Sequence, residues 1–214
     1  MRRHLTENEI RDLYDRQAFS YDPWSILTES RAHEEVLSLA GISPGETILE
    51  VGAGTGCLFR EIAAANPTGL NVGIDISNGM LARAAAKMPE LATQGLLQIG
   101  SAYALPYQDG CFDAVAGAYI LDIIPDESLV AVLGEWHRVS KGDGRLVLVD
   151  MTRGAYWYNR FWGLLYDLHP KLMGGCRPVN AEPYLREAGW EMVERRELSQ
   201  FTFASEVILA RPAG

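Results

Sequence analysis

Lysine and cysteine are both scarce: Lys87, Lys141 and Lys171 are the only lysines, and Cys57, Cys111 and Cys176 the only cysteines, in 214 residues. The cysteines are odd in number and none is spaced Cys-x-x-Cys. That excludes a zinc cluster and points to a reduced, cytoplasmic protein in which each cysteine is a small core or boundary residue. No metal site is expected. Positive charge is short too: 19 basic against 28 acidic residues leave a formal charge of −9, and no basic patch offsets it. A nucleic-acid partner is therefore not expected, because phosphate contacts need clustered positive charge. The opening MRRHLTENEIRDLYDRQ has no apolar stretch after its arginines, so no signal peptide is expected. No uncharged run approaches the length of a membrane span. Internal repeats and low-complexity segments are lacking as well. What remains, 48% apolar and 22% charged residues, suits one compact α/β domain.

Apolar runs alternate with helical stripes, the pattern of a mostly parallel sheet covered on both faces. Strands are expected at Thr47–Val51, Leu70–Ile74, Gly95–Ile99, Phe112–Ala118 and Arg145–Asp150. Between them, Leu58, Ile62 and Ala63 share one helical face, and Met80, Leu81, Ala84 and Ala85 another. Leu129, Val132, Leu133 and Trp136 follow the i, i+3, i+4, i+7 rule, with Asp126 placed to cap their helix. A helix over Pro183–Ala188, ended by Gly189, precedes strands at Glu191–Leu198 and Phe201–Ala210. A tight Ser199–Gln200 turn between these two makes them antiparallel. Residues 1–40, with a stripe of Ala32, Val36, Leu39 and Ala40, form an N-terminal helical lid. Residues 41–150 are the core, 151–180 an aromatic insertion or second lid, and 181–214 the last helix and strand pair.

The chemistry concentrates at the strand ends, where open parallel sheets bind their ligands. Residues 48–56 read ILEVGAGTG, an apolar run closing on Glu50 and then Gly52, Gly54 and Gly56. Glycines at this spacing let the backbone approach a ligand that a Cβ would push away. Glu50 would repel a phosphate, so the ligand is cationic or neutral; an ammonium-bearing sulfonium fits and a pyrophosphate does not. The dinucleotide spacing Gly-x-Gly-x-x-Gly fails at Cys57, and no lysine follows a tyrosine at the short-chain reductase interval. After the second strand comes Asp75, which can accept both hydroxyls of a ribose, each such bond worth about 1.5–3 kcal/mol. Ser77 or Asn78 is the better cap for the following helix. Met80, one turn inside that helix, either lays its thioether on an adenine face or is plain core. Ser101, Ala102 and Leu105 fall where the base would lie. Asp113 is expected to order the turn before the fourth strand. Asp122 would face the mouth of the site if Ile120 and Leu121 pack inward.

The segments ILEVGAGTG, VGIDISNGML, ALPYQDGCFDAV and GDGRLVLVD occur in this order over residues 45–150. With them, the chain resembles the class I S-adenosylmethionine-dependent methyltransferases, and among these the ubiquinone/menaquinone C-methyltransferases and phospholipid N-methyltransferases. The resemblance implies a Rossmann-like α/β fold with a seven-stranded, mostly parallel sheet, an antiparallel last strand and helices on both faces. It implies S-adenosyl-L-methionine as cofactor and S-adenosyl-L-homocysteine as product. Glu50 would hold the ammonium; Gly52, Ala53, Gly54 and Gly56 would admit the carboxylate-bearing chain. Asp75 and Ile76 would meet the ribose, Met80 the adenine face, and Ser101 and Ala102 the base. Ala118 and Tyr119 would help hold the amino group. Tyr14 and Tyr21, in a segment that folds over the cofactor in similar proteins, are cofactor contacts or lid residues. Two departures stand out: family members commonly carry an acid at the position of Ser101, and YILDIIPD replaces their histidine-rich segment.

Transfer of an activated methyl asks mostly for positioning, which aligned reactants can supply at about 7–11 kcal/mol, and then for removal of a proton from the acceptor. Asp122, His169 and Tyr21 are the expected catalytic groups, with Tyr14 beside them. His33 and His137 lie within helices and are expected to be structural. Tyr156, Trp157, Tyr158, Phe161, Trp162 and Tyr166 give one helix two apolar faces, where packing on the sheet needs one. The second face covers a hydrophobic ligand, meets a membrane surface through 156–168, pairs with another subunit in a homodimer, or thickens a lid. The expected activity is methyl transfer to a small hydrophobic or amphiphilic acceptor: a lipid amine, a quinone-like or phenolic ring, or a secondary metabolite. The alternative is a cofactor-binding protein of the same fold without methyl transfer.

Overall fold

The computed structural model describes residues 6–17, 21–88, 95–152, 177–200 and 203–214. Its strands are β1 (Thr47–Val51), β2 (Leu70–Asp75), β3 (Gly95–Ile99), β4 (Phe112–Ala118), β5 (Ser140–Met151), β6 (Trp190–Gln200) and β7 (Phe203–Pro212). They form one sheet in the order β3-β2-β1-β4-β5-β7-β6. The first five pair in parallel, and β7 runs antiparallel between β5 and β6. Around the sheet lie α1 (Glu7–Gln17), α2 (Tyr21–Ala40), α3 (Cys57–Ala65), α4 (Asn78–Lys87), α5 (Asp126–Val139) and α6 (Glu182–Glu187). The expected mostly parallel, seven-stranded Rossmann-like sheet is present.

Alternation along the strands sorts the core into two layers, because successive side chains leave opposite faces of a sheet. Leu146 and Leu148 of β5 join Leu129, Val132, Leu133 and Trp136 of α5, all fully buried. Val147 and Val149, their neighbours in the chain, join Ala32, Val36, Leu39 and Ala40 of α2 and Leu58 and Ile62 of α3. A strand buried on both faces has no polar side to offer, which is why these runs are continuously apolar. The order reverses at β1, which has β2 on one side and β4 on the other. A crevice therefore opens beyond the carboxyl ends of these strands.

Several boundaries differ from expectation. β5 begins at Ser140, not Arg145: Phe112 pairs with Ser140 and Ala114 with Arg145, so residues between them bulge out of the ladder. Asp113 sits at that irregularity and accepts from the Thr47 N–H at 2.8 Å and from Lys141 Nζ at 2.6 Å, ordering the turn as expected. The reversal between β6 and β7 lies beyond Gln200, because Ser199 pairs with Ala204 and Gln200 with Phe203. Gln200 is held there by α2, accepting from the Arg31 N–H at 3.0 Å and donating to Ser30 Oγ at 3.1 Å. Asp126 does not cap α5. Pro125 occupies the cap position, and Asp126 lies in the first turn, paired with Arg177 at 2.9 Å. An acid in that turn still complements the helix dipole. Ala85 is exposed rather than part of the α4 stripe.

Trp136 joins the α5 core to the strand-end loops, since its Nε1 donates to the Ala102 carbonyl at 3.1 Å. Trp136→Ala is expected to lower the unfolding free energy by about 3–5 kcal/mol, read from urea denaturation. An effect below about 1 kcal/mol would refute this packing.

Candidate functional site

The turn after β1 is pinned to β2 before it reaches any ligand. The N–H groups of Gly52 and Ala53 donate to the Ile74 carbonyl at 2.8 and 3.0 Å. Gly54 follows with φ +53°, and a Cβ there would come no nearer than 3.9 Å to its closest neighbour, the Gly52 carbonyl oxygen, so the position has room to spare. Gly56 has φ +79°, and its Cβ would fall 2.4 Å from Met88 Cε and 2.9 Å from Ala84 Cβ. One glycine therefore keeps the crevice clear, and the other lets α3 and α4 close on each other. Gly56 lies beneath the crevice wall rather than in it.

Glu50 points into this crevice although it is only 2% exposed. Its Oε2 has no hydrogen-bond partner among the described residues, and burial, with Asp75 and Glu61 nearby, pushes its carboxyl well above the usual carboxylate range. A buried oxygen left in this state is costly unless a ligand completes it. Asp75 is better supplied: the Gly54 N–H donates to Oδ2 and the Ser77 N–H to Oδ1, both at 2.8 Å. Burial raises its pKa while these N–H groups lower it. Each oxygen keeps a lone pair for a hydroxyl. Ser77 caps α4 by accepting the Met80 N–H at 3.1 Å, as expected. Met80 is buried and lines the crevice, with Ile76, Ala102, Ala118 and Tyr119. Tyr119 holds φ +52° and pairs its hydroxyl with Ser205 Oγ at 2.9 Å.

Helix α1 crosses the opening. Tyr14, Ile10 and Glu7 line the crevice from this side. Asp15 accepts from Ser77 Oγ at 2.6 Å and from the Gly79 N–H at 2.9 Å, at the amino end of α4. These bonds, the Ser77 one foremost, hold its carboxyl below the usual range. The cleft, together with the open solvent at its mouth, spans about 990 Å³.

The structure brings Tyr14, Glu50, Gly52, Ala53, Gly54, Asp75, Ile76, Met80, Ala102, Ala118 and Tyr119 to the lining of one cleft. Ser101 is not among the lining residues; its hydroxyl is given to Glu7. Leu105 is buried in the α5 layer instead of under a base. Asp122 sits in the 3₁₀ turn Leu121–Ile123, 1% exposed, and is not among the residues that line the cleft. Leu121 packs inward as supposed, but its N–H is held by Asp150 Oδ1 at 3.0 Å, and this tucks the turn, with Asp122, beside Asp150 and beneath the mouth. The side chain of Tyr21, at the start of α2, lies outside the described residues, as do His169 and the aromatic segment 156–168. Sequence reasoning missed Glu7, Ile10 and His33. Glu7, Ile10 and Tyr14 share one face of α1 by spacing, a signal that was present. His33 lines the cleft, 4% exposed, and burial lowers its pKa to about 4, so it is a neutral imidazole near pH 7.

A sheet in this order, a glycine turn and two acids at adjacent strand ends define a Rossmann-like site for a nucleoside carrying a cationic tail. A family model described as a methyltransferase domain matches residues 48–144. The demethylmenaquinone methyltransferase of Beutenbergia cavernae is 32% identical over 209 residues, covering 88% of this chain and 83% of its own. That of Symbiobacterium thermophilum is 31% identical over 170 residues, covering 75% of this chain and 66% of its own, so the match spans just under two thirds of that relative. Magnesium protoporphyrin IX methyltransferase from Synechocystis PCC 6803, solved with bound SAH, superposes with a TM-score of 0.74 at 19% identity, covering 97% of this chain and 99% of its own. The chain belongs to the class I S-adenosylmethionine-dependent methyltransferases. Its cleft fits that cofactor: the orphaned oxygen of Glu50 awaits an ammonium, Asp75 retains acceptors for ribose hydroxyls, and Gly54 leaves room for the amino-acid chain.

Because the raised pKa of Glu50 keeps it protonated in the free protein to higher pH than usual, pairing with an ammonium must expel that proton. S-adenosylhomocysteine is expected to bind with proton release, its affinity rising with pH until the free carboxyl has itself ionised. Titration calorimetry in two buffers of different ionisation enthalpy checks this, and Glu50→Gln should abolish the release. A wild-type release of zero across the acid-to-neutral range would refute it. Gly54→Ala is expected to weaken ligand binding at least tenfold with a stability cost of about 1–2 kcal/mol from its backbone alone. Gly56→Ala should cost more stability, because it adds a clash. Equal melting shifts for the two variants would contradict this division.

Proposed function

We propose that this chain transfers a methyl group to a carbon of a small, hydrophobic, hydroxylated ring of the quinol type. The observation that carries the reading is the pairing of an acid-tipped cofactor cleft with walls of Ile10, Ile120, Ile123 and Ile124 and the rings of Tyr14 and Tyr103. The names of the demethylmenaquinone methyltransferases to which the chain is similar support the ring acceptor over a lipid amine. When bound, the cofactor supplies a sulfonium methyl already activated for in-line displacement. The rest is the protein's work. Glu50 would fix the tail and Asp75 the sugar, aiming the methyl at one point of the cleft. Ile10 and Tyr14 of α1 would exclude water from that point. An acceptor carbon held at that point by Ile10 and Tyr14 would take the methyl, with the electron pair of the broken bond left on the cofactor's sulfur. The acceptor would give up one proton in all, and His33, a neutral imidazole among the lining residues, would receive it. An aromatic segment at 156–168 would guide so apolar a substrate from a membrane surface.

Incubation with methyl-labelled cofactor and a panel of reduced quinols, simple phenols and lipid amines, followed by mass spectrometry, tests this. Label on a ring carbon of the quinol is expected. Label on the lipid amine alone would overturn the acceptor class. Cofactor binding with no labelled product would favour the same fold serving without methyl transfer.

A further inference from the structure

Among the described residues, three carboxylates line the cleft: Glu50, Asp75 and Glu7. The first two rise from the ends of β1 and β2. The third comes from α1, yet it too is fixed over a strand end, because Glu7 Oε1 accepts the hydroxyl of Ser101, two residues past β3, at 2.5 Å. β1, β2 and β3 are adjacent in the sheet. Neighbouring strands lie about 4.8 Å apart, so the three acids form a row of acceptors about 10 Å long across the strand tips. The cofactor presents hydrogen-bond donors in a matching order: an ammonium at one end, two ribose hydroxyls in the middle, and the exocyclic amine of adenine at the other end.

We propose that Glu7 accepts the hydrogen bond of the adenine amine, so that purine selectivity is carried by the covering helix and not by the sheet. This rests on the cofactor reading above. Ser101 is poorly placed to serve instead. Its single proton is given to Glu7, and its oxygen accepts the Tyr103 N–H at 3.1 Å. Glu7 is held at both ends of its helix. Thr6 and Glu9 close a capping box around it, the Glu9 N–H donating to Thr6 Oγ1 at 3.3 Å and the Thr6 N–H to Glu9 Oε2 at 2.9 Å. Eight residues on, about 12 Å along the helix, Asp15 is anchored to Ser77 and Gly79. The carboxylate is therefore presented at a fixed height, with lone pairs remaining on both oxygens after the Ser101 bond.

The test compares S-adenosylhomocysteine with S-inosylhomocysteine, in which a carbonyl oxygen replaces the amine. In calorimetry the wild type should prefer the adenosyl ligand at least tenfold, since the inosyl oxygen would face a carboxylate. Glu7→Gln should shrink the preference to within about threefold, because its amide can donate to that oxygen. Adding Ser101→Asp to Glu7→Gln should restore it from the sheet side. Asp15→Ala should weaken both ligands equally and leave the ratio intact. A ratio unchanged in Glu7→Gln, or equal weakening of both ligands there, would make Glu7 a lid anchor and overturn the proposal. Failure of the wild type to bind either ligand would instead bring down the cofactor reading.

Discussion

The cleft depends on one unsatisfied group, the carboxylate of Glu50 at the tip of β1. A buried acid oxygen without a partner is tolerated because the surrounding structure holds it in place: β1 pairs on both sides, with β2 and β4, and its other inward residues are apolar. Such an oxygen leaves two stable outcomes, a proton in the free protein and a cation in the complex. The adjoining parts follow from that choice. The glycine turn must stay low enough for a ligand to reach the acid, and Asp75 must be held by backbone N–H groups so that it does not swing over to compete. An Asp75 left free would add repulsion to a site already short of positive charge.

Closure over this acid is polar where it is anchored. α1 contributes Ile10 to the cleft wall, but it is tied down by Asp15 at the amino end of α4 and by Glu7 on Ser101. Hydrogen bonds of this kind are worth about 1–3 kcal/mol each, enough to position a helix and too little to seal it permanently. A covering element that must admit both a cofactor and an apolar acceptor needs that balance. A lid packed as densely as α5, with five fully buried side chains, would open at a far higher cost.

What the sequence made legible was whatever depends on neighbours in the chain. The apolar runs of β1 to β4, the α5 stripe and the Ser77 cap are local, and each appears where spacing put it. So does the grouping of Glu50, Gly54, Asp75 and Met80, because a strand followed by a tight turn fixes its own geometry. The losses are all set by distant residues. Asp126 looked like a cap, but Pro125 took that position and Arg177 engaged the acid. The Ser199–Gln200 turn was absorbed into the β6–β7 ladder once Gln200 found α2. Asp122 was drawn away from the mouth by Asp150, twenty-eight residues further on. Glu7 was marked only by sharing a face of α1 with Ile10 and Tyr14, and His33, inside α2, had no local signal of the cleft it would line.

These acids also respond to pH in opposite senses. The carboxyl of Asp15 is depressed, so the stability it lends is present above the ordinary carboxylate range and is lost as pH falls through its lower value. Glu50 and Asp150 are raised: below the ordinary range they cost nothing, and their cost to the fold grows as pH climbs towards their elevated values. For Asp150, burial and the neighbouring Asp122 leave that cost in place, because it is not among the residues that line the cleft. For Glu50, an ammonium removes it. Ligand binding and lid anchoring therefore both improve as pH rises from acid towards neutral, while the free fold gives up some stability over the same interval. A cofactor-free protein that is strained at Glu50, and relieved there by the molecule it is built to hold, follows from this one buried carboxyl, with Asp15 anchoring the helix that covers it.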